Sequence, residues 1–173
     1  MITDEALERV RGWFTGRVPE EWQQAALDVV VDREEIIVGL TVADVDVAEG
    51  ASEAELDEAR AGRAKAFRED TRGKRMAIAQ EAQRRFDRTV SWKVTVGERS
   101  ELFTHVAAPV MTRLRQPQRQ VLDTLVDAGV ARSRSEALAW CVRLVGQHED
   151  DWLIELREAM TTVADVRAKG PAA

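Results

Sequence analysis

The sequence is poor in the residues on which several classes of protein depend. It has one cysteine, Cys141, so the chain cannot form an internal disulfide. It has two histidines, and neither lies in a metal-binding spacing such as His-Glu-x-x-His. No run of 18 apolar residues occurs, which predicts that no segment spans a membrane. The first ten residues are acidic and lack the basic start and apolar core of a secretion signal, so we expect a cytoplasmic protein.

The motifs of common enzymes are missing as well. We find no glycine-rich phosphate loop and no Gly-x-Ser-x-Gly nucleophile motif. Cys141 falls at an apolar position of a predicted helix and has no basic partner evident in the sequence, so we expect it in the core. The sequence therefore predicts a protein that is not an enzyme, with no catalytic residues, no cofactor and no bound metal.

What the sequence does contain is charge, and it is unevenly distributed. The 173 residues carry a net charge of −6. Residues 1–62 hold 5 Lys and Arg against 16 Asp and Glu, residues 63–88 hold 9 against 4, and residues 109–148 hold 6 against 3. An acidic protein can still bind nucleic acid through a local basic face. Charge alone does not decide the function.

The first 98 residues predict an α+β domain with the element order α-β-β-α-α-β. We expect a helix over Ala6–Phe14 and a hairpin within Ala26–Val42. Ser52 and Glu55 have the spacing of a capping box, which predicts a helix from there to about residue 69. That helix either breaks near residues 70–75 or continues to residue 85. Alternating apolar residues predict a strand over Thr89–Val96, and a further extended segment over Leu102–Val106.

This element order resembles the type II KH-like RNA-binding fold, in which a Gly-x-x-Gly loop between two helices clamps the nucleic-acid backbone. The counterpart of that loop here is Arg72-Gly73-Lys74-Arg75, which has one glycine where the family has two. The motif of that family is therefore incomplete. One interpretation of the basic residues themselves is a second nucleic-acid surface formed by Arg72, Lys74 and Arg75 at this helix junction, with Arg84, Arg85 and Arg88 further along the chain. The alternative, which we favour, is a solvated helix face balanced by acidic neighbours.

Residues 105–148 predict a strand, a helix, a tight turn and a second helix. The strand is expected at Pro109–Leu114, and Ser135 is expected to cap the second helix. A further amphipathic helix is predicted over residues 149–170. The pattern consists of Arg113-Leu114, Leu122-Asp123, Leu125-Val126, Gly129 and Ser133-Arg134-Ser135-Glu136-Ala137. It resembles the ribbon-helix-helix (Arc/MetJ/CopG-like) family of DNA-binding dimers. Arg115 stands where that family often has proline.

The resemblance implies a transcriptional regulator that forms a homodimer by pairing the Pro109–Leu114 strands and packing the helices that follow. A two-stranded ribbon fits the major groove of DNA. Met111 and Arg113 would then face the bases, and Arg115 would lie at the end of the ribbon. The start of the second helix would hold phosphate through Arg132, Ser133, Arg134 and Ser135. In the alternative function, the same region only dimerises, and the acidic N-terminal surface binds a basic protein.

Overall fold

The computed structural model describes residues 4–48 and 50–169. The chain divides into two compact units, Met1–Pro109 and Val110–Ala173. Helices occur in both units, and the described strands all belong to the first, so the predicted α+β class is confirmed. The predicted helix over 149–170 lies in the same unit as the helical hairpin that precedes it.

The N-terminal unit has the predicted element order, extended by one strand. A single 3₁₀ turn, Glu20–Trp22, follows the first helix. The elements are α1 (Asp4–Arg17), β1 (Asp28–Val31), β2 (Glu35–Val42), α2 (Glu53–Asp70), α3 (Arg72–Phe86), β3 (Thr89–Val96) and β4 (Arg99–Leu102). Ser52 caps α2 by accepting a hydrogen bond from the Glu55 N–H at 3.2 Å, as the capping-box spacing predicts.

The four strands form one mixed sheet in the order β1-β2-β3-β4. β1 and β2 are an antiparallel hairpin, and β2 pairs with β3 in parallel from Glu35–Thr89 to Val42–Val96. A parallel pair needs a long crossover, which α2 and α3 supply. β3 then turns back into β4. The extended segment predicted at Leu102–Val106 is therefore misplaced, because Gly97, at φ 56°, allows a two-residue turn and pairing begins at Arg99.

The core of this unit lies on one face of the sheet. β3 buries every second residue as predicted (Val90, Trp92, Val94 and Val96), and β2 presents Ile36, Val38 and Leu40 beside them. Phe14 from α1 is fully buried and meets the ring of Trp92 edge to face at 6.3 Å. Burying each such side chain stabilises the fold by roughly 1.5–3 kcal/mol. This packing fixes α1 and α3 against the sheet.

An ion pair between Asp44 and Arg60 joins the end of β2 to α2. Arg60 donates from Nη2 and Nε to the two Asp44 carboxylate oxygens at 2.6 and 2.9 Å. These hydrogen bonds, with one from the Val45 N–H, lower the pKa of Asp44 to about 2. Gly97 packs so closely that a Cβ there would overlap both side chains of the pair.

We expect Asp44→Asn to lower the urea midpoint of unfolding near neutral pH. Because the folded-state pKa is depressed, the stabilisation is present above the unfolded-state value of about 3.9 and is lost as pH falls through about 2. The difference in midpoint between wild type and variant should therefore shrink across that window. Asp46→Asn, at an exposed carboxylate, is the control. A difference that stays constant down to pH 2 would show that ionisation of Asp44 is not its cause.

The C-terminal unit consists of three helices, α4 (Gln116–Asp127), α5 (Arg134–His148) and α6 (Asp150–Lys169). Its buried cluster is small, since Leu122, Ala131 and Ala137 form it with partly buried neighbours that include Cys141. Many apolar side chains stay exposed, among them Val110 at 84% and Met111 at 95%. On α6 the exposed set is Trp152, Ile154, Leu156, Met160 and Val163. Among the described helices, none has the length and apolarity that crossing a bilayer requires.

Candidate nucleic-acid interface

The strand predicted at Pro109–Leu114 is not formed within the single chain, where residues 104–115 belong to no helix or strand. A strand requires a neighbour that pairs with its N–H and C=O groups, and no described segment of the chain supplies one. The ribbon of the family it resembles forms between two chains. Met111 and Arg113 are both exposed on this segment, and Leu114 is half-buried against the hairpin cluster.

The start of α4 gathers positive charge. Arg115 is the residue before the helix, and its N–H donates to the Gln118 side-chain oxygen at 2.9 Å. Arg119 donates from Nη1 to the Leu114 carbonyl at 2.7 Å, which ties the preceding segment to the helix. The first turn contains no acidic residue. A helix start carries a partial positive charge of its own. Together with these arginines, it makes the site favourable for binding an anion.

Sequence reasoning missed Arg119. The sequence contained a signal for this residue. A basic side chain in the first turn of a helix interacts unfavourably with the helix dipole, which makes Arg119 a candidate for a functional role. The adjacent Arg113 and Arg115 were identified from the family pattern instead. All three side chains are exposed, and among the described residues none of them has a carboxylate oxygen within 4 Å.

A glycine turn joins α4 to α5. Gly129 has φ 75°, a left-handed conformation that suits glycine. The N–H groups of Val130 and Ala131 both donate to the Leu125 carbonyl, at 3.0 and 3.2 Å. Ala131 is buried beside Leu122, so the turn is held to the helix it follows. The tight turn predicted at this position is confirmed.

The predicted cap of α5 is wrong by two residues. Ser133, not Ser135, precedes the helix, and its Oγ accepts a hydrogen bond from the Glu136 N–H at 3.2 Å. The Glu136 carboxylate in turn accepts from the Arg132 N–H at 2.8 Å. Serine followed three residues later by glutamate is the capping-box spacing, which favours Ser133 over Ser135. Ser135 lies in the first turn and is exposed.

Arg134 is not a free phosphate ligand. Its Nε and Nη2 donate to the two carboxylate oxygens of Asp123 at 2.6 and 2.8 Å, which lowers the pKa of Asp123 below its usual range. Both side chains are exposed, so this ion pair is weak and Arg134 can exchange Asp123 for another anion. The side chain of Arg132 is exposed and, within the described part of the chain, has no carboxylate partner.

The structure brings some of the predicted residues into one shallow groove of about 340 Å³. Met111, Arg134 and Ser135 line it together with Arg119 and the apolar side chains of Leu114 and Leu138. Arg113, Arg115, Arg132 and Ser133 are exposed at the two helix starts and do not line the groove. The groove therefore combines two positive charges with apolar surface.

The second predicted surface is not assembled. Arg75 is 7% exposed, and it donates to the Thr71 hydroxyl at 2.8 Å and to the Arg68 carbonyl at 2.7 Å. Burial, with the nearby charges of Arg68 and Arg72, lowers the pKa of Arg75 to about 10. Its guanidinium lies 4.7 Å from the centre of the Phe103 ring. Arg75 is therefore a core residue, and its burial near the junction of α2 and α3 makes it inaccessible to a ligand.

The two other residues of that surface remain exposed. Lys74 lies 3.4 Å from a Glu21 carboxylate oxygen, so part of its charge is balanced. Arg72 has no carboxylate oxygen within 4 Å among the described residues. The favoured alternative, a solvated helix face, accounts for both of these residues but not for the burial of Arg75.

Comparison with known proteins places the chain in a family. Residues 8–102 match the model described as Rv1265-like protein, N-terminal domain. The chain belongs to this Rv1265-like family. Residues 115–167 match the Mb1296 C-terminal domain, so the limits of the two matches bracket the boundary between the compact units at residue 109.

Relatives of this family member come from mycobacteria. It is 57% identical over 159 residues to the uncharacterized proteins Mb1296 of Mycobacterium bovis and Rv1265 of Mycobacterium tuberculosis. The alignment covers 92% of this chain and 69% of each relative. No solved structure matches the chain significantly. Neither family description mentions a ribbon-helix-helix or KH-like fold, so those resemblances stay predictions.

Proposed function

We propose that this protein is a dimeric, cytoplasmic DNA-binding protein that regulates transcription and catalyses no reaction. The observation that carries the proposal is a set of exposed arginines near the two helix starts, Arg113, Arg115, Arg119 and Arg132, which have no carboxylate oxygen within 4 Å in the described part of the chain. Arginine side chains beside exposed helix N-termini are a recurrent arrangement for binding phosphate.

The balance of charge in this region favours DNA. Three acidic residues lie within residues 109–148. Asp123 is ion-paired with Arg134, and the Glu136 carboxylate accepts a hydrogen bond from the Arg132 N–H at the start of α5. Asp123 also interacts with the charge of Arg119, and Asp127 lies at the end of α4, so the arginines of this range outnumber its carboxylates by six to three. Two copies of the chain would double this basic surface, and a dimer could present it along one side of a duplex.

The exposed segment before α4 supports the dimer. Val110 and Met111 are among the most exposed apolar residues of the unit. Pairing this segment with its copy in an antiparallel ribbon would satisfy its backbone groups and cover Val110 against the helices. Met111 and Arg113 would then point to the opposite face, where Arg113 can donate two hydrogen bonds to guanine. Met111 offers only apolar contact, so we expect modest sequence specificity.

A second function is favoured by the apolar surface of α5 and α6. Val142 and Val145 on α5 are exposed, as are Trp152 and Leu156 on α6. Apolar surface of this extent on a small unit is typical of a protein-interaction site. In this function the region serves assembly alone, and the acidic N-terminal surface binds a basic partner.

Fluorescence anisotropy with random-sequence duplex DNA, at low and at moderate salt, tests the proposal when it is combined with the mass in solution. A DNA-binding dimer should lose affinity steeply as salt rises, because each neutralised phosphate releases condensed counterions. A dimer that ignores DNA even at low salt would contradict DNA binding and favour assembly.

Asp123→Asn is expected to tighten DNA binding about threefold at low salt. The change removes a negative charge from the basic surface and releases the Arg134 side chain, while a neutral amide remains in its place. The matched control is Asp127→Asn at the end of α4, which removes the same charge without releasing an arginine. Equal effects of the two substitutions would assign the gain to net charge and not to Arg134.

A further inference from the structure

A groove of about 700 Å³ opens in the N-terminal unit between α1 and the end of α3. Three arginines (Arg9, Arg85 and Arg88) and two aromatic residues (Trp13 and Phe86) line it. No described acidic residue is part of the lining. The volume lies within the range of small-molecule binding sites.

In the described part of the chain, these arginines form no ion pair with a carboxylate. Arg88 donates from Nε to the Asp32 carbonyl at 2.7 Å and from Nη1 to the Phe86 carbonyl at 3.0 Å, so neutral backbone oxygens hold it. The Arg85 guanidinium lies 5.7 Å from the centre of the Phe86 ring. Within the described residues, neither these two nor Arg9 has a carboxylate oxygen within 4 Å.

Helix electrostatics accounts for only part of this arrangement. Arg85 lies in the last turn of α3, where a cation stabilises the helix dipole. Arg9 lies in the middle of α1, where no such effect applies. Its side chain joins the other two only because the core packs α1 beside the end of α3. The aromatic contact between Trp13 and Phe86, with ring centres 5.6 Å apart, forms part of that packing.

We propose that this groove binds a free nucleotide that carries two or more phosphates. Arg9, Arg85 and Arg88 would bind the phosphates, since guanidinium groups pair with phosphate oxygens through two hydrogen bonds. Trp13 and Phe86 would contact the planar base through apolar aromatic surface. The site lies in a different unit from the candidate DNA-binding surface, so it goes beyond the proposed function and does not depend on it.

Isothermal titration of the full chain tests the site with adenosine triphosphate and guanosine triphosphate as probes. Adenosine and inorganic tripolyphosphate are the controls for base alone and phosphate alone. We expect at least one nucleotide to bind at least about tenfold more tightly than either control, because both parts of the site contribute. Absence of nucleotide binding, or binding no tighter than that of tripolyphosphate, would overturn the proposal. A single-stranded oligonucleotide that binds more tightly than every mononucleotide would also overturn it.

Gly12 allows a sharper test. It lines the groove, and a Cβ there would meet no atom within 4 Å beyond the backbone of its own helix. Gly12→Glu places a negative charge at the groove, whereas Gly12→Gln adds a side chain of the same size without the charge. Both replace a helical glycine, so neither should weaken α1. We expect the glutamate variant to bind nucleotide at least about tenfold more weakly than the glutamine variant. Equal affinities of the two variants would show that the phosphates do not lie there.

Discussion

Replacing Arg115, Arg119 and Arg132 together by glutamine is expected to lower the affinity for random-sequence DNA at least about a hundredfold at low salt. These side chains are exposed and lie at the starts of α4 and α5. Each phosphate contact contributes nearly one unit to the slope of log affinity against log salt concentration, so the slope should fall by about three per protomer. Anisotropy titrations at several salt concentrations measure both quantities.

The matched control removes three positive charges elsewhere. Arg11, Arg63 and Arg143 are exposed and lie outside the two helix starts, so their joint replacement by glutamine should change the affinity far less. If both triple variants lose affinity equally, net charge governs the interaction and the assigned surface is wrong. Arg113→Gln is informative separately, since loss of a base contact should reduce the preference between sequences more than overall affinity.

Val110→Asp is expected to convert the protein into a monomer and, with that, to abolish measurable DNA binding. In the proposed ribbon, Val110 turns towards the helices of the dimer, and burial there would cost a carboxylate its hydration. Within a single chain Val110 is 84% exposed, so the substitution should leave the fold of the chain intact. The mass in solution and the anisotropy of labelled DNA report the two effects.

Val110→Thr is the control for this substitution. Threonine keeps the shape and the strand preference of valine without a charge, so the variant should remain dimeric. A Val110→Asp variant that is still a dimer would place the interface elsewhere, and the exposed faces of α5 and α6 would be the next surfaces to change. A dimer that has lost only DNA binding would point to charge repulsion instead of dissociation.

The elements of the N-terminal unit were predictable because short-range rules govern them. Alternation of apolar residues located β3, and the spacing of Ser52 and Glu55 located the start of α2. Both rules act within a few residues along the chain. The start of β4 was mispredicted in the same region. The turn at Gly97 has only two residues, so β4 begins directly after it, at Arg99.

The candidate site was predictable in position but not in detail. The family pattern located the helical hairpin and its glycine turn. It did not reveal that Arg134 forms an ion pair with Asp123, 11 residues earlier in the chain, or that Arg119 anchors the segment before α4. Side chains from different elements form such contacts, and their distances depend on how those elements pack.

The sequence by itself determined the α+β class, the order of the elements in the first 98 residues and the region in which basic residues concentrate. Only the tertiary structure decided which of those basic residues are available to a ligand. Arg75 is buried against Phe103, Arg134 is paired, and Arg9 joins Arg85 and Arg88 from a distant part of the chain. The reason is physical, since helix and strand periodicity is a local property, whereas burial and ion pairing depend on elements that meet only after folding.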